Sequence, residues 1–466
     1  MTEPNEIDMS AADILPTTYL EEEWVRAVNS RASDHNLPLA IDITGPYDRG
    51  LVLDALRALV LRHETLRMAF RPQRDGVQRA VWPTVEPVLD TADLSGADER
   101  ERIRRLNELI LKEAKRPTDL TRPPLWRAVE VRLAPTHHVL LTIWHHVIFD
   151  GWSSRVFFRD LTSLYAGALR RDQPKLPESE IHLADYAAWE RELKMPDAAA
   201  AYWRTVLPGE PARLPVEDDG RDPQIMAGRP YPVIPADRVK RFEEIARDQG
   251  VTLASVLRSV VLTALRPYLP EQLVIGCVHG NRDKPELQPI IGLLSDHLPV
   301  KIDLSGKPTF AELTARVHDA VRTARRHQAP AGLIINSVAP PPGGGQMFDI
   351  SINNMRHAAP LTEAVTAPDG STTTFAVRDD IPATELWPRI RRPFSGGVRL
   401  GYQLRHNAAG DLTGEIWGHL PTFRTATLDM LGRALARTAE RIASDPRQPV
   451  ETYAPHRQRS RISELR

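Results

Sequence analysis

Apolar residues recur near helical spacing over 51–67, through Leu51, Leu53, Leu56, Leu59, Val60 and Leu61, which predicts an amphipathic helix closed by Arg62-His63-Glu64-Thr65-Leu66-Arg67. A second helix is predicted over 96–116, with Ile103, Leu106, Leu109, Ile110 and Leu111 as its apolar face and charges elsewhere. The pattern then changes. Val129 to Leu133 reads as a short strand, Pro135-Thr136-His137-His138 as a turn, and Val139 to Ile148 as the returning strand. Tyr186 to Leu193 is helical by pattern. Further on, helices are predicted over 238–248, 253–265, 310–327 and 428–442, a buried strand over 273–278 and a strand over 348–353. Strands and helices mixed in this way predict an α/β or α+β architecture.

The stretch from Leu207 to Ala236, rich in Pro, Gly and Asp, reads as a crossover between two halves. Pro340-Pro341-Pro342-Gly343-Gly344-Gly345 reads as a flexible break, residues 356–396 as a polar and mobile excursion, and the charged end from about Arg457 as frayed. The 466 residues are ample for a sizeable core. Lys and Arg number 60 against 61 Asp and Glu, so nothing in the overall charge favours nucleic acid or an anionic membrane surface as a partner. Cys277 is the single cysteine, which rules out a disulfide within the chain and disfavours a Cys-based zinc site. No apolar run approaches 18 residues, so no membrane-spanning helix is expected. The acidic start, Met1 to Asp8, is unlike a secretory signal, and the expected location is cytoplasmic.

The chemistry concentrates in His145-His146-Val147-Ile148-Phe149-Asp150-Gly151-Trp152-Ser153. On a strand, alternation would put Val139, Leu141, Ile143 and His145 on one face and Leu140, Thr142, Trp144 and His146 on the other. The two histidines therefore cannot share one task. Imidazole takes and returns a proton near neutrality, provided that its second nitrogen is fixed. Asp150 follows the strand end and would order the turn. If buried, its carboxylate needs a cation, for which Arg62 and Arg67 are the candidates.

The same segment resembles the signature of the condensation domains of nonribosomal peptide synthetases. Arg62-His63-Glu64-Thr65-Leu66-Arg67, Asp185-Tyr186-Ala187-Ala188-Trp189, Val274-Ile275-Gly276 with Gly280-Asn281-Arg282-Asp283 and Ile291-Gly292, and His327-Gln328 are similar to further motifs of that family, in order. After Ile291-Gly292 the chain departs from the family: Leu293-Leu294-Ser295-Asp296-His297 stands where the family has Phe-Val-Asn-Thr, and Asp296 and His297 are expected in a surface loop or against an unusual substrate.

The resemblance implies two chloramphenicol-acetyltransferase-like lobes, residues 1–177 and 178–466, arranged as a V with a tunnel between them. It implies a free-standing enzyme that moves an acyl group, aminoacyl or aryl, from a phosphopantetheine thioester on a discrete carrier protein to a small amine or alcohol. The chain itself would bind no cofactor and no metal. His146 would be the catalytic imidazole, with His145, Asp150 and Gly151 beside it, and the Gly151 N–H would face the developing oxyanion. Asp150 would pair with Arg62 or Arg67. Trp152, Ser351 and Asn353 would contact substrate. Two other readings remain open: a coenzyme A-dependent acyltransferase, and a non-catalytic platform that recruits carrier proteins.

Overall fold

A computed structural model describes residues 11–27, 36–74, 76–177, 180–207, 225–338, 348–355, 361–378, 390–391, 398–419 and 423–453. The fold is α/β, in two compact units. The first gathers Met1–Lys194, Gly280–Asp296 and Ala359–Leu386; the second gathers Met195–His279, His297–Ala358 and Trp387–Arg466. This differs from a division at 177/178. The helix Leu183–Glu192 stays with the first unit because it holds the chain's N-terminal segment: the Tyr19 N–H donates to Glu190 Oε2 at 2.7 Å, and Arg191 Nε donates to the Thr17 carbonyl at 2.8 Å.

The first unit is built on a six-stranded sheet whose order is Thr362–Thr366, Thr372–Val377, Asn36–Thr44, His137–His145, Trp126–Ala134 and Leu89–Asp93. The central strand His137–His145 pairs antiparallel with both neighbours, and both of its faces are covered. Val139, Leu141 and Ile143 bury against Leu106 and Ile110 of the helix Glu99–Lys115. On the other face Trp144 stacks on Phe149 at 4.3 Å and meets the edge of Phe157 at 4.9 Å. Phe157 belongs to the helix Gly151–Arg170, which the sequence reading did not identify although Val156, Phe157, Asp160, Leu161 and Tyr165 recur on one buried stripe.

The predicted helix over 51–67 is the helix Arg49–Arg62 followed by a 3₁₀ turn, Glu64–Arg67. Asp48 caps it, accepting from the Gly50 and Leu51 N–H groups, and its buried face is Val52, Ala55, Leu56, Leu59 and Val60, with Leu61 outside. The turn before the central strand is Pro135-Thr136. His137 and His138 already belong to the strand, where His137 bonds Asp42 at 2.7 Å and His138 stacks on Tyr47 at 4.1 Å.

Part of the stretch read as a mobile excursion is ordered. Thr362–Thr366 and Thr372–Val377 form a hairpin that pairs antiparallel with Asn36–Thr44, so a strand that would otherwise be an open edge is covered. Polar residues dominate the hairpin because one face is wet; Val365 and Phe375 point inward.

The second unit holds a seven-stranded sheet, in the order Asp296–Asp303, Gln272–His279, Ile350–Met355, Leu400–His406, Leu412–His419, Ile225–Pro230 and Ile390–Arg391. The strand Ile225–Pro230 lies within the stretch read as crossover. Helices Ala236–Asp248, Leu253–Leu265, Phe310–Arg326 and Thr425–Ser444 join Ile275, Ile352, Tyr402 and Ile416 in one core. Leu253–Leu265 is buried at every residue but Ala254, as its nearly continuous apolar sequence requires. The Pro-Gly break at 340–345 and the end from Arg457 lie outside the described residues.

Phe375 is fully buried, with its ring 5.0 Å from that of Tyr165. Phe375→Ala should cost about 3–5 kcal/mol, as a large ring lost from a packed core does. A urea midpoint equal to that of the parent protein would show that the hairpin is not part of the cooperative fold.

Candidate functional site

The central strand ends at His145, earlier than alternation would carry it, and His146–Ile148 form a 3₁₀ turn. His145 is fully buried and holds that turn: its Nδ1 accepts the Val147 N–H at 3.2 Å. His145 therefore positions the segment. His146, in the turn itself, is half-buried. Its Nδ1 is buried with no partner at full hydrogen-bonding geometry. Burial pushes the His146 imidazole below its ordinary value; backbone groups of His146 and Phe149 and the Asp150 charge act the other way but do not overcome it. The ring is thus neutral at neutral pH and able to accept a proton.

Asp150 caps the helix Gly151–Arg170 and is 1% exposed. Its Oδ1 accepts from the Ser153 N–H at 2.9 Å and from Ser153 Oγ at 2.8 Å. Its Oδ2 accepts from Arg282 Nη1 at 2.7 Å, the Leu294 N–H at 3.2 Å, the Ser295 N–H at 3.0 Å and Ser295 Oγ at 2.9 Å. Burial alone would raise this carboxyl, but the Arg282 guanidinium and the Ser153 bonds outweigh it and hold Asp150 at about 2.

The cation on Asp150 is Arg282, and this corrects the pairing with Arg62 or Arg67. Arg62 Nε bonds Asp160 at 3.0 Å, beside His63 Nε2 on the same carboxylate at 2.9 Å, and Arg67 donates to the Trp82 carbonyl. The sequence carried a usable signal, since Arg282 stands in Gly280-Asn281-Arg282-Asp283. It was missed because 132 residues separate it from Asp150. Arg282 also donates to the Gly292 carbonyl at 3.0 Å, and Ser153 Oγ bonds the Gly292 carbonyl and accepts the Gly292 N–H, both at 3.0 Å. One ion pair thus sews the segment 280–295 to the turn that presents His146.

Gly151 opens the helix, where the first N–H groups lack intrahelical partners and favour negative charge. Trp152 is 37% exposed, and its indole N–H is committed to the Gln288 carbonyl at 2.9 Å. In the second unit, Ser351 and Asn353 share one face of the strand Ile350–Met355. Ser351 is buried and its Oγ bonds His297 Nε2 at 2.9 Å, while Asn353, in register with Gln403, is half-buried. Gly276 stands at the Ser351 register on the strand between, so no side chain separates the two; a Cβ there would meet the Phe348 ring at 2.2 Å. Asp296 and His297 begin the strand Asp296–Asp303, so they are not a surface loop.

Among the described residues no cluster of three or more His, Cys, Asp or Glu could hold a metal ion, and no single helix is long and apolar enough to cross a membrane.

A half-buried imidazole thus stands at a strand-to-helix junction, seated by a buried Asp–Arg pair. The condensation-domain family model matches residues 24–386, and the chain belongs to that family. It is 32% identical over 327 residues to the chondramide synthase cmdD of Chondromyces crocatus; the match covers 68% of this chain but only 8% of that much longer protein. Among solved structures it is similar to SgcC5 of Streptomyces globisporus, with a TM-score of 0.79 at 21% identity, covering 93% of this chain and 100% of the other. It is also similar to the X-domain from teicoplanin biosynthesis in its complex with OxyB, with a TM-score of 0.73 at 23% identity, covering 97% of this chain and 96% of that one. Both likenesses concern the fold.

Arg282→Ala strands a buried carboxylate and should cost about 3–5 kcal/mol, whereas Arg67→Ala should leave the Asp150 seat intact. The pH dependence has a definite sign. The folded Asp150 carboxyl lies at about 2, below its ordinary 3.8, so its contribution is complete above the ordinary value and is lost as pH falls toward 2. Unfolding curves between pH 5 and pH 2 should show this loss in the parent protein and a flatter response in Arg282→Ala. Equal responses would remove the ion pair from the account.

Proposed function

We propose that the chain transfers an acyl group from a phosphopantetheine thioester, presented by a discrete carrier protein, to a small amine or alcohol. The acceptor's nitrogen or oxygen attacks the thioester carbonyl, the new C–N or C–O bond forms, and the C–S bond breaks. His146 takes the acceptor's proton and returns it to the departing sulfur, so that a thiol leaves. The Gly151 N–H, at a helix N-terminus, faces the developing oxyanion. Trp152, Ser351 and Asn353 are the proposed substrate contacts, and the acyl group is aminoacyl or aryl. The observation that carries this reading is the half-buried His146 ring, kept neutral by burial on the Asp150–Arg282 seat, in a chain of this family.

A bound amine loses its proton readily once attack has begun, whereas an alcohol needs help during attack. His146→Ala should therefore reduce ester formation by about 10²–10⁴-fold and amide formation by less. Equal losses with matched amine and alcohol acceptors would contradict the base role. Running the assay with coenzyme A conjugates against carrier-bound donors separates the carrier reading from direct use of coenzyme A.

A second reading has one observation in its favour: the teicoplanin X-domain, similar in fold, was solved in complex with OxyB. If this chain recruits partners without catalysis, His146→Ala protein should still support product formation in a reconstituted pathway. Loss of product with the variant favours catalysis.

A further inference from the structure

The helix Tyr19–Ala27 packs against the turn that bears His146 and against the strand Gly76–Val81. From it Trp24, only 5% exposed, sets its ring centroid 4.9 Å from that of His146, with the planes tilted by 44°. The start of this helix is held several ways. Thr18 and Glu21 cap it reciprocally: the Thr18 N–H donates to Glu21 Oε2 at 2.8 Å, and the Glu21 N–H to Thr18 Oγ1 at 3.0 Å. The helix Leu183–Glu192 adds two clamps. Glu190 accepts the Tyr19 N–H at 2.7 Å, and the Arg191 guanidinium lies 4.3 Å over the Tyr19 ring while donating to the Thr17 carbonyl at 2.8 Å. Both clamps belong to the helix that opens with Leu183-Ala184-Asp185-Tyr186, for which the transfer chemistry itself has no use.

We infer that Trp24 is a positioning residue for His146, and that Glu190 and Arg191 act through the helix Tyr19–Ala27 to keep its indole in place. A ring packed against an indole loses rotational freedom, and the side that meets the indole is closed to water. Closure explains why burial dominates the His146 imidazole although Asp150 and the backbone favour its protonated form. A base held in one orientation spares the reaction the cost of finding it. The inference deepens the transfer reading and rests on it only for what the imidazole does; where the imidazole sits is independent of the reaction.

The test therefore reads the ring and the reaction separately. The His146 imidazole is titrated by NMR in the parent protein and in Trp24→Ala, Trp24→Phe, Glu190→Ala, Glu190→Gln and Arg191→Ala, and kcat and acceptor KM are measured on the same samples. In Trp24→Ala the His146 titration should move up toward the ordinary imidazole value. Its kcat should fall about 10- to 100-fold, with acceptor KM changed far less. Trp24→Phe should restore most of both. Glu190→Ala and Arg191→Ala should shift the ring in the same direction by less, and Glu190→Gln, whose amide oxygen still accepts the Tyr19 N–H, should resemble the parent. If Trp24→Ala fails to fold, the Glu190 and Arg191 variants carry the test. An unmoved His146 titration in folded variants overturns the inference. If the parent protein transfers no acyl group while the titrations shift as stated, the transfer reading fails and the positioning role stands.

Discussion

A single carboxylate organises the site. Asp150 is out of water, so its charge is tolerable only because both oxygens are saturated and a guanidinium lies against one of them. Those bonds fix three things together: the first turn of the helix Gly151–Arg170, the segment around Gly292 to Ser295, and the short turn between the strand end and the helix. His146 stands in that turn. The ion pair is 132 residues long in sequence and 2.7 Å long in space. Removing either partner leaves the other buried and unpaired, so the seat is present as a whole or lost as a whole.

This arrangement divides labour between the adjacent histidines. His145 closes the strand and spends a ring nitrogen on the turn's backbone. His146 is half-buried, and desolvation holds its imidazole below the ordinary value. Asp150 does not relay a proton from this position: its carboxyl lies at about 2 and its oxygens are committed elsewhere, so it remains an anion throughout the working range. Its contribution to the site is geometric.

Much of this was legible in the residues. Periodicity gave the paired strands around Pro135-Thr136 and most of the long helices, because those elements bury apolar side chains at regular spacing. The His-His segment was legible as candidate chemistry because a histidine pair at a strand end is followed by an Asp and a Gly where the chain must turn. What was hidden has physical causes. The hairpin over 362–377 is polar on its wet face, and its order comes from pairing with Asn36–Thr44, far earlier in the chain, which no local pattern reports. The early end of the strand at His145 depends on a backbone-to-ring bond. Arg62 and Arg67 were plausible cations by their motif, but Asp160 and the Trp82 carbonyl claim them. Trp24 contacts His146 only through the fold.

A double-mutant cycle on Asp150 and Arg282 tests the account most directly, with Asp150→Asn, Arg282→Met and the pair measured for both unfolding free energy and acyl-transfer rate. The account predicts strong coupling: each single change costs nearly as much as the double, so the interaction energy is about as large as either single loss, about 3 kcal/mol, and the rates fall in step with the loss of the seat. Additive losses, or a transfer rate untouched by any of the three variants, would contradict it.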